Sequence, residues 1–195
     1  MEAFSIPIFE IEKYEADDIL GTLCRQATEQ DMDTIVLTGD TDTLQLVSPT
    51  VRVALNRNIQ DRVIYNEAAV RERYGGLSPS QQPEVKALQG DTSDNIRGVP
   101  GIGIKTAIKL IQDYGSIEGL YANIDSVAPP RIRELLASHE ADARQALELT
   151  TIVTEVPITL DVDACRFWRY DREEILNLLR ELEFTSMVAR VPQII

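Results

Sequence analysis

Cysteine, histidine and tryptophan are scarce in this chain: two, one and one among 195 residues. A Cys/His zinc site needs four such ligands, so none can be assembled. Cys24 and Cys165 are far apart and form no C-x-x-C pair, which predicts reduced core thiols in a cytoplasmic protein. The single His139 lies in a polar helical pattern and reads as a surface residue. No apolar run approaches the roughly eighteen residues that a membrane-spanning helix needs. Met1 is followed by Glu2, with no basic segment leading into an apolar one, so no secretory signal is expected. Low-complexity tracts and internal repeats are also lacking. Bases are few, 19 against 32 acids, for a net charge of −13. That balance argues against a general nucleic-acid binder, which carries basic excess.

The acid is unevenly spread. Residues 1–95 hold 17 acids and 8 bases; residues 96–195 hold 15 and 11. A concentration of carboxylates is either a solvated surface or a metal site whose cations offset it.

The hydrophobic pattern divides the chain into an α/β part and a mainly helical part, with a boundary near residues 74–83. The opening "MEAFSIPIFEIEKY" is β-prone around Ile6, Ile8, Phe9 and Ile11. "EADDILGTLCRQATEQ" places Ile19, Leu20, Leu23, Cys24 and Ala27 on one helical face. "TIVLTGD" reads as a buried strand opening into a loop, and "TLQLV" as a short helix. "VRVALNR" and "RVIYN" read as two strands joined by a turn around Asn56–Asp61. Asn66 caps a helix that Gly75 and Gly76 end. Helices then follow at "PEVKALQG", "KTAIKLIQDYG", "SIEGLYANI", "PRIRELLASHEADARQALELTTIV" and "DREEILNLLRELEF". In the last stretch Phe167, Trp168 and Tyr170 read as core or docking residues.

Three segments carry carboxylates in spacings that suit chemistry. Glu15 and Asp18 are three apart at a helix start, with Asp17 on a neighbouring face. Asp40 and Asp42 follow a strand, and an extended backbone there points both the same way. Asp91 and Asp94 repeat the three-residue spacing. A strand end is a favoured ligand position in an open α/β sheet. Oxygen-only donors select Mg²⁺ or Mn²⁺ over Zn²⁺. A two-ion site suits phosphodiester hydrolysis, one ion activating water and the other stabilising the leaving oxygen. Acids at helix starts are also ordinary caps, and spacing alone does not bring the three segments together.

"GVPGIGIKTA" follows a different logic. A Gly-x-Gly turn between two helices forms a helix–hairpin–helix. There Gly101 and Gly103 allow close approach of a phosphate, free N–H groups open the second helix, and Lys105 adds charge. Such contacts position a nucleic acid without reading its sequence.

"YEADDILGTL", "IVLTGDTDTLQLV", "KALQGDTSDNIRGVPGIGIKTAIKLI" and "LRELEF" resemble the 5′→3′ exonuclease domain of bacterial DNA polymerase I, within the wider 5′-nuclease (flap endonuclease) superfamily. The resemblance covers nearly the whole chain. It implies the C-terminal part of a PIN-like, Rossmann-like α/β core over residues 1–75. An all-helical subdomain with a helix–hairpin–helix (H3TH) motif would follow over residues 76–195. It further implies a metal-dependent nuclease that cuts 5′ flaps and removes primers in DNA replication and repair. Glu15, Asp17, Asp18, Asp40, Asp42, Asp91 and Asp94 match the family's metal-site positions, with Asp17, Asp18, Asp40 and Asp42 as the catalytic set. The implied cofactors are two Mg²⁺ or Mn²⁺ ions, and a K⁺ ion in the hairpin turn. Gly98, Gly101, Gly103, Lys105 and Thr106 would hold DNA downstream of the cut, in a 5′-flap or nicked duplex.

The departures are three. The family's first strand with its aspartate, a further metal aspartate and the basic helical arch have no counterpart, Arg97 stands where proline is usual, and Thr41 stands where a base is common. The expectation is a truncated or split nuclease whose strand Thr34–Leu37 exposes an edge and an apolar face. Its partners would be a missing N-terminal segment or a polymerase portion. Two readings stay open beside the enzyme: a non-catalytic DNA-binding fragment using the hairpin alone, and a fragment with no independent role.

Overall fold

The computed structural model describes residues 2–56, 62–166 and 170–192. The expected turn at 57–61, and Phe167 and Trp168, lie outside the described residues. The chain forms two compact units: Glu15–Val156, and Met1–Tyr14 with Pro157–Ile195.

The larger unit opens with helix α1, Ala16–Glu29. Its spacing buries Ile19, Cys24 and Ala27 on one face, as the sequence pattern predicts. Strand β1, Thr34–Thr38, pairs in parallel with β2, Val51–Asn56, in the register Val36↔Val53. The short crossover is a 3₁₀ helix, Asp42–Leu46, whose Thr43 and Leu44 are fully buried. Strand β3, Arg62–Tyr65, returns antiparallel to β2, giving the order β1-β2-β3.

Strand side chains alternate between faces. Val36, Val51, Val53, Leu55 and Tyr65 enter the core. Ile35, Leu37 and Ile64 lie on the opposite face and are 57%, 58% and 55% exposed. The β-branched run at 34–38 is thus buried on one face only, and β1 is an edge strand.

Asn66 caps α2, Glu67–Arg73, by accepting the Ala69 N–H at 2.9 Å. The remaining helices of this unit are α3 (Gln82–Gln89), α4 (Ile104–Tyr114), α5 (Ile117–Ala122), α6 (Pro130–Ser138) and α7 (Glu140–Thr150). The pattern at 130–150 predicts one long helix; the chain breaks at His139, which closes α6 and opens α7. One apolar cluster joins sheet and helices, running from Cys24 and Val53 through Val85, Leu88, Ile111 and Leu136 to Ala146.

In the smaller unit, the β-prone opening forms no strand. A 3₁₀ turn covers Glu2–Phe4, and Ser5 and Lys13 take positive φ. Pro7 removes a ladder donor from the middle of the run. Helix α8, Arg172–Glu181, is capped by Asp171 and followed by α9, Thr185–Val188. Tyr170, Ile175, Leu176, Leu179 and Val191 make a separate small core with Phe4 against it. Among the described residues no helix is long and apolar enough to cross a membrane. Both cysteines are free; Cys24 is buried, whereas Cys165 is half-buried rather than a core residue.

Candidate metal centre and nucleic-acid interface

Six of the seven predicted carboxylates line one cleft of about 400 Å³: Glu15, Asp17, Asp18, Asp40, Asp42 and Asp94. The cleft lies at the start of α1 and the C-terminal end of β1, where chain reversals leave polar groups exposed. The wall opposite is the end of α7 and the residues after it, Leu149–Ile152.

Local chemistry fixes each acid. Glu15 is the N-cap of α1 and forms a reciprocal capping box with Asp18, whose Oδ2 accepts the Glu15 N–H at 3.2 Å. The other Asp18 oxygen accepts the Val153 N–H at 2.9 Å. Capping and cleft-lining are therefore the same residues, not alternatives. Asp17 does not turn to a separate face; it looks into the acid cluster. Burial, then repulsion from Asp40, Asp42, Glu15 and Asp18, pushes its carboxyl up to about 6.

Asp40 and Asp42 reach the cleft by a route other than strand alternation. The strand stops at Thr38, and an Asx turn follows, with Asp40 Oδ1 accepting the Asp42 N–H at 2.9 Å. Asp91 does not line the cleft itself but adjoins it. Its Oδ1 accepts the Ser93 N–H at 2.8 Å and the Ser93 hydroxyl, and its Oδ2 accepts from Lys86. These contacts hold its carboxyl down at about 2. Its backbone forms an isolated antiparallel bridge with Ile96, so the 91–96 segment is a tight loop rather than a helix turn. One oxygen each from Asp42, Asp91 and Asp94 nonetheless lie within 4.8 Å of one another.

Sequence reasoning gave Lys86 no role. From α3 it pairs with both Asp42 and Asp91, and its side chain is only 16% exposed. Burial alone would lower its pKa, but the hydrogen bonds to the two aspartates outweigh that and raise it. Asp42 still moves up, because burial and the nearby Asp40 and Asp91 outweigh Lys86. The only available signal was a lone lysine one turn before the end of a helix leading into acids.

The glycine turn stands at the other end of the same loop. It is not a tight link between two helices: α3 ends at Gln89 and α4 begins at Ile104, with the whole of 90–103 between them. Gly101 has φ +84°, a conformation that favours glycine. Gly98 serves close packing instead, since a Cβ there would run into the backbone of Gly90 and Gln89. Gly103 is the N-cap of α4 with no side-chain cap, and an added Cβ would meet nothing within 4 Å. Lys105 is exposed and Thr106 half-buried on the first turn. Val99 and Ile102, 2% and 3% exposed, anchor the turn in the core. A cavity of about 470 Å³ runs beside it, lined by Asp91, Asn95, Arg97, Gly98, Gly101 and His139 among others. His139 is half-buried there, its Nδ1 3.0 Å from the Leu135 carbonyl oxygen.

The fold of the chain is shared with solved structures. The fold matches the bacteriophage T5 D15 flap endonuclease in a pseudo-enzyme-product complex with DNA and metal ions. The TM-score is 0.65 at 22% identity, over 94% of this chain and 61% of that one. It also matches the catalytic core of Rad2 in complex with DNA substrate, TM-score 0.62 at 14% identity, over 98% of this chain and 66% of that one.

The chain belongs to the 5′-3′ exonuclease family. Residues 1–75 match the family's N-terminal resolvase-like domain, and residues 77–173 match its C-terminal SAM fold. DNA polymerase I of Chloroflexus aurantiacus is 46% identical over 201 residues, 100% of this chain and 21% of that protein. DNA polymerase I of Bacillus caldotenax is 41% identical over 98% of this chain and 22% of its own length. The chain thus spans about a fifth of the curated relatives it matches.

Proposed function

We propose that this chain carries a divalent-metal-dependent nuclease centre. It would act as a 5′→3′ exonuclease or 5′-flap endonuclease on DNA in primer removal and repair, in the cytoplasm. One observation carries the reading: Asp17, Asp40, Asp42 and Asp94, from three separate segments, converge on a single cleft. Carboxylates crowded to this degree repel one another by several kcal/mol unless cations intervene.

The residues fit a divalent cation. The donors are all oxygens, which favours Mg²⁺ or Mn²⁺. Asp42, Asp91 and Asp94 supply three carboxylates within reach of one ion. Asp17, Asp40 and Glu15, which line the same cleft, would supply donors for a second. Bound there, the ions would supply Lewis-acid activation of water and stabilisation of the leaving oxygen. The chain's own residues set the frame. Asp18 ties α1 to the segment after α7, and Lys86 holds Asp42 and Asp91 in place.

The domain reading follows the same lines. Residues 1–75 would supply most of the catalytic acids, and residues 76–195 the remaining acids and the DNA-holding turn. At that turn the open first-turn N–H groups of α4, Lys105 and Thr106 would hold backbone phosphates of a flap or nicked duplex. A K⁺ ion at the turn rests on the family resemblance alone. Linkage to a polymerase portion is supported by the two relatives above, both DNA polymerase I.

The test is cleavage of a 5′-labelled flap duplex in Mg²⁺, with chelator and Asp91→Ala as controls. Metal-dependent cleavage lost in the variant supports the reading. Folded chain that binds the duplex without cutting it supports the alternative, a DNA-binding fragment.

A further inference from the structure

We propose that Arg97 is a positioning residue that grips a backbone phosphate where the nucleic-acid strand passes from the acidic cleft to the glycine turn. The inference rests on the nuclease reading of that cleft.

Three cavities adjoin along the 90–103 loop. Asn95 and Ile96 line the acidic cleft, the cavity beside the glycine turn, and a third of about 270 Å³ walled by Asp142, Gln145 and Leu149. Asn95 and Ile96 therefore form a rim common to all three. Arg97 lines the second and third of them, next along the chain from that rim. A strand whose reacting phosphate lies among the acids, and whose duplex meets Gly101, would pass along this loop.

Charge singles out Arg97. Lys86 pairs with two of the acids, and Arg97 shares a cavity with Asp91. Lys86 is consumed, paired with Asp42 and Asp91. Arg97 is exposed, and among the described residues no carboxylate pairs with it. Asp142 lines the same two cavities without forming an ion pair to it. An arginine free beside this rim suits an anion that arrives from outside. The planar fork offers two parallel N–H groups, which match phosphate oxygens better than an ammonium does. Contact with the backbone rather than a base edge makes the grip independent of sequence. Arg97 would also offset part of the repulsion between the acids and an incoming polyanion.

The test measures binding of a fluorescein-labelled duplex with a single-stranded 5′ arm, in Ca²⁺, across a salt series. The intact chain is compared with Arg97→Gln and Arg97→Lys, and with Arg52→Gln as a control on strand β2, already paired with Asp33 at 3.5 Å. Arg97→Gln is expected to weaken binding about tenfold and to flatten the salt slope by about 0.9, the value for one lost phosphate contact. Arg97→Lys keeps the slope and recovers only part of the affinity. Arg52→Gln changes neither. A purely structural role would lower the melting temperature without this separation of slope from affinity. If Arg97→Gln fails to fold, the lysine variant still decides: full wild-type affinity with unchanged slope overturns the bidentate grip. Wild-type binding that Arg97→Gln leaves unchanged in both affinity and slope overturns this inference alone. Absence of binding by the wild-type chain overturns it together with the nuclease reading.

Discussion

The Asp18 carboxylate accepts the backbone N–H of Val153 at 2.9 Å, joining the first turn of α1 to the segment that follows α7. Its other oxygen accepts the Glu15 N–H. Asp18→Ala removes both and is expected to cost about 1–2 kcal/mol, the usual worth of a cap and one hydrogen bond. Chemical denaturation in chelator measures the loss without any contribution from cations.

Asp17 behaves oppositely. Its carboxyl titrates near 6 in the fold, against about 3.9 in an unfolded chain. Between those values the folded state binds more protons than the unfolded one. Metal-free stability therefore falls as pH rises from about 4 to about 6, and then levels. Asp17→Asn removes this term, so the variant should be more stable than the wild type above pH 6 in chelator. Mn²⁺ should reverse the order by stabilising only the wild type, and its effect should grow between pH 5 and 7. Melting curves with and without Mn²⁺ across that range check both halves.

Asp91 has the contrary sign at lower pH. Its folded value near 2 lies below the unfolded one, so its contribution is full above about 4 and is lost as pH falls toward 2. Lys86→Met leaves Asp42 and Asp91 facing each other in a partly buried place. A loss of about 2–4 kcal/mol is expected, as when one partner of a buried pair is removed. Added Mg²⁺ should restore part of it, which urea titrations with and without the ion would show.

Two glycines of the turn separate folding from binding. Gly98→Ala forces a methyl into the backbone of Gly90 and Gln89 and should destabilise the loop by about 2–3 kcal/mol. Gly103→Ala meets open space at an ordinary φ of −91°, so only the N-cap preference for glycine over alanine is lost, about 1 kcal/mol or less. If the start of α4 holds phosphate, Gly103→Ala weakens DNA binding by more than that small loss of stability explains. Parallel melting and anisotropy measurements distinguish the two effects.

The exposed sheet face makes a further prediction. Ile35 and Leu37 sit on an edge strand at more than half exposure, a known aggregation hazard. Leu37→Lys should raise the concentration at which the chain precipitates and change stability by less than about 0.5 kcal/mol. Light scattering and a thermal melt suffice.

Much of this was legible in the sequence. Helical and strand periods placed α1, the three strands, and the cores of α3 and α4, because burial enforces those periods directly. Residue type and spacing single out the acids; six of the seven line the cleft, and the seventh, Asp91, adjoins it beside Asp42 and Asp94. Asp40 and Asp42 converge through an Asx turn, and Asp17 faces inward because α1 starts at the strand's end. Lys86 drew no attention, since nothing local in "PEVKALQG" reveals that its ammonium reaches two aspartates on different segments. The break at His139 was hidden for a similar reason: the apolar period continues through it. The opening residues look β-prone, but a strand needs a neighbour, and Pro7 and the positive φ of Ser5 deny them one.

Mn²⁺ binding followed by electron paramagnetic resonance tests the central claim most directly. The wild-type chain should take up two ions saturably, and Asp17→Asn and Asp42→Asn should each weaken uptake at least tenfold. Equal Mn²⁺ uptake by folded wild type and both variants would contradict the assignment of the cleft as a metal centre.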